Sequence, residues 1–328
     1  MADTGPVESP LAAASGAAGP HAPEAFALLG NETRLSILLA LWEEYDPKAT
    51  DNGVPFSRIF ERIDHDDRGN VSYHLSKLTG QFVQQQTDRG GYELRETGLK
   101  LVRAVIAGAG VQDVELERTE IDQACPFCDA PTTVSYHDGV VLHTCTDCDG
   151  TGPAQTDTEG FLDAVPFDPA GLAERTPEEI RAASTVAALR QVQSLFEGLC
   201  LACSGPVEGW LECCSNHDST GICDHCGTTF AVWAHFRCRV CKNHSTTSPK
   251  SLALFHPAVI AFYEDHDVST RIRADDYESV RRVFDLMDDH VMDPVSQDPP
   301  LVAVRTVQDG DDVCLTFDEA ATVVDVRR

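Results

Sequence analysis

Residues 56–95 read FSRIFERIDHDDRGNVSYHLSKLTGQFVQQQTDRGGYELR. A short run from Phe56 to Ile63 is followed by a polar turn from Asp64 to Gly69. A second run, Asn70 to Thr79, sets Val71, Leu75 and Leu78 at the spacing of one helix face. The other face carries Asn70, Ser72, Tyr73, Ser76 and Lys77, with Arg68 at the helix start. Helix, tight turn and helix with a small polar outward face is the helix-turn-helix pattern. Beyond it, Phe82 to Thr87 and Tyr92 to Arg95 read as two short strands around the turn Asp88-Arg89-Gly90-Gly91. Glu96 to Ala107 reads as a closing helix. Upstream, Phe26, Leu29, Leu35, Leu38, Leu39 and Trp42 recur at helical spacing, broken at Gly30 and Asn31. The expectation is a winged helix-turn-helix over residues 24–110, with a disordered tail at 1–23.

In that arrangement the second helix of the turn enters the major groove of duplex DNA. Arg68, Asn70, Ser72, Tyr73, Ser76 and Lys77 are then the candidate DNA contacts, with Arg89 at the wing tip. Arginine and asparagine can read base edges by paired hydrogen bonds, whereas lysine and arginine can also hold phosphates. Charge distribution agrees. The whole chain holds 53 acidic and 25 basic side chains, a formal net charge of −28. Residues 25–107 hold 12 acidic and 10 basic ones, a net of −2, which leaves −26 for the rest. Acidic surface repels phosphate, so the near-neutral segment is where a nucleic-acid contact belongs.

The thirteen cysteines all lie at or after residue 125. Cys125, Cys128, Cys145 and Cys148 form C-x2-C-x16-C-x2-C, the spacing of a four-thiolate zinc ribbon at 120–150. A hairpin through Thr132–Tyr136 and Val140–Thr144, turning at Asp138-Gly139, would bring the two pairs together. His137 and His143 read as hairpin surface residues. A second cluster offers Cys200, Cys203, Cys214, His217, Cys223, Cys226, Cys238 and Cys241, enough donors for two tetrahedral ions. Its four pairs can join sequentially, nested or crossed, and Cys213 can stand in for Cys214. Three structural zinc ions are expected in all. Complete ligand sets leave no open position for a catalytic water, and no phosphate loop or nucleophile elbow is present, so an enzyme is not expected.

The run ALLGNETRLSILLALWE at 27–43, the run GNVSYHLSKLTGQFV at 69–83 and the wing GGYELRETGLKLV at 90–102 resemble the ArsR-like winged-helix regulators of haloarchaea. The basic set of 5 Lys against 20 Arg, within so acidic a chain, is similar to proteins of salt-loving archaea. There acidity serves solubility in molar salt and says little about partners. The cysteine-rich remainder resembles the zinc-binding C-terminal region of some of these haloarchaeal proteins. The resemblance implies transcriptional regulation and commonly a homodimer, and it favours the nested pairing of the second cluster. Family members that sense metal through thiolates in the winged helix have cysteines there, and this chain has none. His65 and His74 alone are a weak substitute.

Downstream, Thr176-Pro-Glu-Glu179 reads as a capping box opening a helix over 177–197. The polar stretch 149–175 reads as a connection. Pro257 opens a short helix, Tyr277 to Met287 has helical spacing, and Leu301–Thr306, Val313–Phe317 and Thr322–Val326 read as strands, with Cys314 as a core thiol. The fold class is therefore α+β. A winged helix-turn-helix is followed by zinc-ribbon modules, the second cysteine-rich region and a small α+β unit completing 176–328. No run reaches the ~18 apolar residues of a membrane span, and the segment before residue 24 lacks the Lys or Arg of a signal peptide. A cytoplasmic regulator of double-stranded DNA is the expectation. Its rivals are a general transcription factor acting through RNA polymerase, resembling transcription factor E, and a zinc-dependent protein–protein adaptor.

Overall fold

The computed structural model describes residues 28–86, 91–108, 114–152, 156–217 and 221–328. Arg89, most of the expected wing turn and the expected tail lie outside them. The chain forms two compact units, Met1–Val111 and Gln112–Arg328.

In the first unit, helix α1 spans Glu32–Glu43. It starts where Gly30-Asn31 breaks the apolar run, because the Asn31 side chain accepts the Arg34 N–H at 3.1 Å. Strand β1, Val54–Pro55, leads into α2, Phe56–Arg62. Helix α3 spans Arg68–Leu78 and so starts two residues before the expected Asn70. The cause is Asp67, whose carboxylate accepts the N–H groups of Gly69 and Asn70 at 2.8 and 3.1 Å. Strands β2, Val83–Gln85, and β3, Gly91–Leu94, pair antiparallel, with Val83 opposite Leu94. β1 pairs along the other edge of β3, giving the order β1-β3-β2. Two residues are too short to show alternation, which is why β1 was invisible in the sequence. A Cβ on Gly91 would lie 2.8 Å from the Gly53 carbonyl carbon, so this crossing needs glycine. Helix α4, Glu96–Ile106, closes the unit. Ile37, Leu38, Ile59, Val71, Leu75, Leu78, Val83 and Val102 fill its core.

The second unit contains three antiparallel sheets. Strands β4 (Leu116–Ala124), β5 (Pro131–His137), β6 (Val140–Cys145) and β7 (Phe161–Pro166) follow in chain order. The β5–β6 turn is Asp138-Gly139, both at positive φ (48° and 80°), as a two-residue hairpin requires. β7 lies inside the stretch expected to be a mere connection. Helix α5, Pro177–Phe196, begins with the expected capping box. Its N-terminal half packs Ile180 against Ile121, Val134, Tyr136 and Val141. Its C-terminal half packs Leu189, Val192 and Leu195 with Val232, Ala234 and Phe236. One helix thus serves both cysteine-rich regions, which belong to a single unit.

Strands β8 (Val207–Cys213), β9 (Val232–Cys238) and β10 (His244–Thr247) form the second sheet, in the order β10-β9-β8. Helices α6 (Pro249–Ala253), α7 (Pro257–Asp265) and α8 (Tyr277–Asp289) precede a four-stranded meander. Its strands are β11 (Val291–Gln297), β12 (Pro300–Gln308), β13 (Asp311–Phe317) and β14 (Val323–Arg327). Val313, Leu315 and Phe317 are buried. Cys314, between them, is turned by strand alternation to the opposite face and is half-buried, so it is not the expected core thiol. Among the described residues, no helix is long and apolar enough to cross a membrane.

Candidate metal centres and nucleic-acid face

Four of the cysteine pairs fold into the same turn. In the segments starting at Cys125, Cys200, Cys223 and Cys238, the N–H of the first cysteine donates to the carbonyl five residues on, at 2.8–3.1 Å. The first cysteine's own carbonyl accepts the N–H four residues on, at 2.7–3.1 Å. The residue after the second cysteine takes positive φ in every case: Asp129 (61°), Ser204 (59°), Gly227 (68°) and Lys242 (64°). This tight loop turns both thiols of a pair toward one point. It also aims main-chain N–H groups at sulfur: His225 N lies 3.4 Å from Cys223 Sγ and Val240 N 3.4 Å from Cys238 Sγ. The pair Cys145/Cys148 is built differently. Cys145 N–H bonds the Gly160 carbonyl at 2.7 Å, and the N–H groups of Asp147 and Cys148 point at Cys145 Sγ. Burial raises this thiol, but those N–H donors together with the neighbouring Cys128 and Cys125 thiols bring Cys145 down to about 7.

Three sets of donors converge, each with all ligand atoms within 4.8 Å of one another. Cys125, Cys128, Cys145 and Cys148 form the first, as the ribbon spacing predicts. Cys200, Cys203, Cys238 and Cys241 form the second; Cys214, His217, Cys223 and Cys226 form the third. The second cluster is therefore nested, and the sequential and crossed alternatives fall away. Nesting follows from the sheet: β8 and β9 pair Val207 with Cys238, which carries the outer pairs to one end, and Cys213 with Val232, which leaves the inner pairs at the other. Cys214 is the ligand candidate, with its N–H bonded to the Ala231 carbonyl at 2.8 Å. Cys213 packs instead against the core, and burial raises its thiol.

The donor sets fit a thiophilic tetrahedral ion. Sulfur separations are 3.6 and 3.5 Å in the first set and 3.6 and 3.5 Å in the second. A tetrahedron with metal–sulfur bonds of about 2.3 Å has an edge of about 3.8 Å. A disulfide would need about 2.05 Å, and none forms among the described residues. In the third set His217 Nδ1 lies 3.5 Å from Cys226 Sγ. Each set supplies four protein donors, so coordination would be closed. The first and third sets are tied by main chain. Thr229 N–H donates to the Thr151 carbonyl at 3.1 Å, and a Cβ on Gly152 would lie 2.3 Å from the Gly227 carbonyl oxygen.

Two features here had no clear sequence signal. Arg118 of β4 donates to the Thr133 and Thr144 hydroxyls, both at 2.8 Å, and to the Cys145 carbonyl at 3.2 Å, bracing the first metal loop from behind. His143, expected on the surface, is buried, and its Nδ1 meets Asp163 Oδ2 at 3.1 Å. Asp163 in turn receives both terminal nitrogens of the buried Arg181 of α5 at 2.8 Å. Burial would raise the Asp163 carboxyl, but the Arg181 charge and the His143 contact hold it well below the usual carboxylate range. The sequence could not pair residues on β6, β7 and α5. His137 is exposed as expected.

On α3, Val71, Leu75 and Leu78 are buried, whereas Arg68, Ser72, Tyr73, Ser76 and Lys77 are exposed and Asn70 is half-buried. The Arg68 guanidinium lies 4.8 Å from the Phe60 ring centre and 5.4 Å from that of Phe56. Lys77 Nζ lies 5.3 Å from the Tyr73 ring. Ser76 Oγ donates to the Tyr73 carbonyl at 2.7 Å, which occupies its hydroxyl hydrogen. Arg58 and Arg62 of α2 are engaged elsewhere, by Glu43, Glu44 and Glu61. His65 and His74 belong to none of the converging donor sets.

No curated protein matches the chain. Residues 22–105 match the family described as a domain of unknown function, DUF7347, and residues 122–323 match a second, DUF7351. The second match takes in all three donor sets and more than half of the chain, and the protein belongs to the DUF7351 family of domains of unknown function.

Proposed function

We propose that this protein is a sequence-specific DNA-binding transcription regulator with an N-terminal winged helix-turn-helix, stabilised by three structural zinc ions. The observation that carries the reading is α3. It is a capped helix with three buried apolar residues on one side and Arg68, Ser72, Tyr73, Ser76 and Lys77 exposed on the other. It lies in a stretch, residues 68–87, that holds no acidic residue. The β2–β3 pairing beside it supports a wing. The ArsR-like resemblance of the sequence points the same way, and with it a homodimer on an inverted repeat whose half-sites lie about one helical turn apart. The nested metal pairing removes the particular support that a crossed arrangement would have lent to a RING-like adaptor.

Zinc is the ion of choice for three or four thiolates in a closed tetrahedral set. The metals act on folding: they hold small loops that have little core of their own, and their binding energy becomes folding energy. Selection of bound duplexes from a random-sequence pool tests the regulator reading. A recurring palindromic sequence supports it. A pool that stays random through successive rounds, with the protein folded and zinc-loaded, overturns it in favour of a factor acting through RNA polymerase.

A further inference from the structure

Residues 225–263 contain no Asp or Glu, although 53 of the 328 residues are acidic and about six would be expected in a stretch of that length. The run is the longest of its kind in the chain, and the next longest is 68–87, which holds α3. It carries Arg237, Arg239, Lys242 and Lys250. Strand β9 lies within it. One face of the β8–β10 sheet, with Leu211, Val232, Ala234 and Phe236, is buried in the core. The other is open. Across it the register aligns Trp210 with His235 and Thr246, and Glu208 with Arg237 and His244. Trp210 is 38% exposed and stacks on His235 with ring centres 5.1 Å apart and planes 15° from parallel. The Arg237 guanidinium lies 5.9 Å from the Trp210 ring. Glu208 engages Arg237 at 2.9 Å and Arg239 at 3.3 Å, so it orients both side chains while each guanidinium keeps further N–H donors free.

An exposed indole, backed by a parallel imidazole and with two arginine guanidiniums beside it that Glu208 only partly engages, is suited to a base stacked on its outer face and phosphates held alongside. Duplex DNA keeps its base faces stacked away, so the fitting ligand is an unpaired strand. We propose that the outer face of the β8–β10 sheet binds single-stranded DNA, with bases stacked on Trp210, which His235 backs, and phosphates on Arg237 and Arg239. The choice of DNA over RNA rests on the regulator reading; the stacking platform does not.

The test is fluorescence anisotropy of a labelled 15-nucleotide mixed-sequence DNA strand with the zinc-loaded full chain, over a series of salt concentrations. Trp210→Phe keeps the platform and should bind as the unmodified chain does. Trp210→Ala should weaken binding about tenfold. Arg239→Glu should weaken it at least as much and flatten the salt dependence. Metal content and circular dichroism establish that each variant is folded. Changing Asn70, Tyr73 and Lys77 together to Ala should abolish duplex sites and leave strand binding unchanged, which separates this proposal from the regulator reading. Absent binding by the unmodified chain, unchanged affinity in folded Trp210→Ala, or loss of strand binding in the α3 variant would each overturn it. Tenfold tighter binding of the RNA strand of the same sequence would overturn the choice of DNA.

Discussion

Truncating Asp163 to alanine would strand the Arg181 guanidinium inside the second unit. Arg181 is 1% exposed, and its two terminal nitrogens donate to Asp163 at 2.8 Å each. Its Nε has no hydrogen-bond partner among the described residues, and the guanidinium lies 5.0 Å from the Phe284 ring centre. Removing one partner of a buried ion pair costs about 3–5 kcal/mol, because the other charge is left uncompensated. The Asp163 side chain keeps 36% of its exposure, so water screens part of the interaction and about 3 kcal/mol is expected. For a unit of this size, 1 kcal/mol corresponds to roughly 2–4 °C in Tm, giving a fall of about 6–12 °C. Thermal unfolding of the zinc-loaded chain, followed by circular dichroism at neutral pH, measures it. Adding Arg181→Met to the same chain removes the stranded charge and should recover most of the loss. A single variant within 2 °C of the unmodified protein, or a double variant less stable than the single, would refute the reasoning.

Further outcomes follow from the same geometry. Native mass spectrometry should count three zinc ions per chain; Cys214→Ser should lose one of them and Cys213→Ser none. His290 is buried, its Nδ1 donating to the Lys250 carbonyl at 3.0 Å and its Nε2 meeting the Tyr263 hydroxyl at 3.0 Å, and burial, aided by the Lys250 charge, pushes it down to about 4. A lowered folded-state value contributes stability that is present above the unfolded value of about 6.5 and is lost as pH falls toward 4, roughly 2 kcal/mol at pH 5. His290→Gln should therefore narrow the Tm difference between pH 7 and pH 5. Gly98→Ala should lower the stability of the first unit by more than about 1 kcal/mol in urea titration, because the new Cβ would lie 2.3 Å from the Phe82 carbonyl oxygen.

Features set by short spacing were legible before the structure. The period of Val71, Leu75 and Leu78 gave α3, Thr176 and Glu179 gave the start of α5, and the CxxC pairs with the Cys214-x2-His217 pair gave the metal-ligand candidates. Features that depend on distant pairing were not. Nested ligation depends on the β8–β9 register, which spacing alone leaves open. β1 is too short to alternate, and β11 carries Pro294, which obscures a strand pattern. His143 reads as a surface residue because imidazole side chains usually are, and nothing in the sequence singles out Arg181. Their burial requires Asp163 between them, and Asp163 lies in a strand, β7, that the polar stretch around it concealed.

Footprinting on genomic DNA fragments in molar potassium chloride tests the central claim most directly, with the unmodified chain beside the chain in which Asn70, Tyr73 and Lys77 are alanine. The account predicts discrete, two-fold symmetric protected sites that vanish in the variant while its three zinc ions remain bound. Uniform cleavage by the fully metallated, unmodified protein, or protection that survives in the variant, would contradict it.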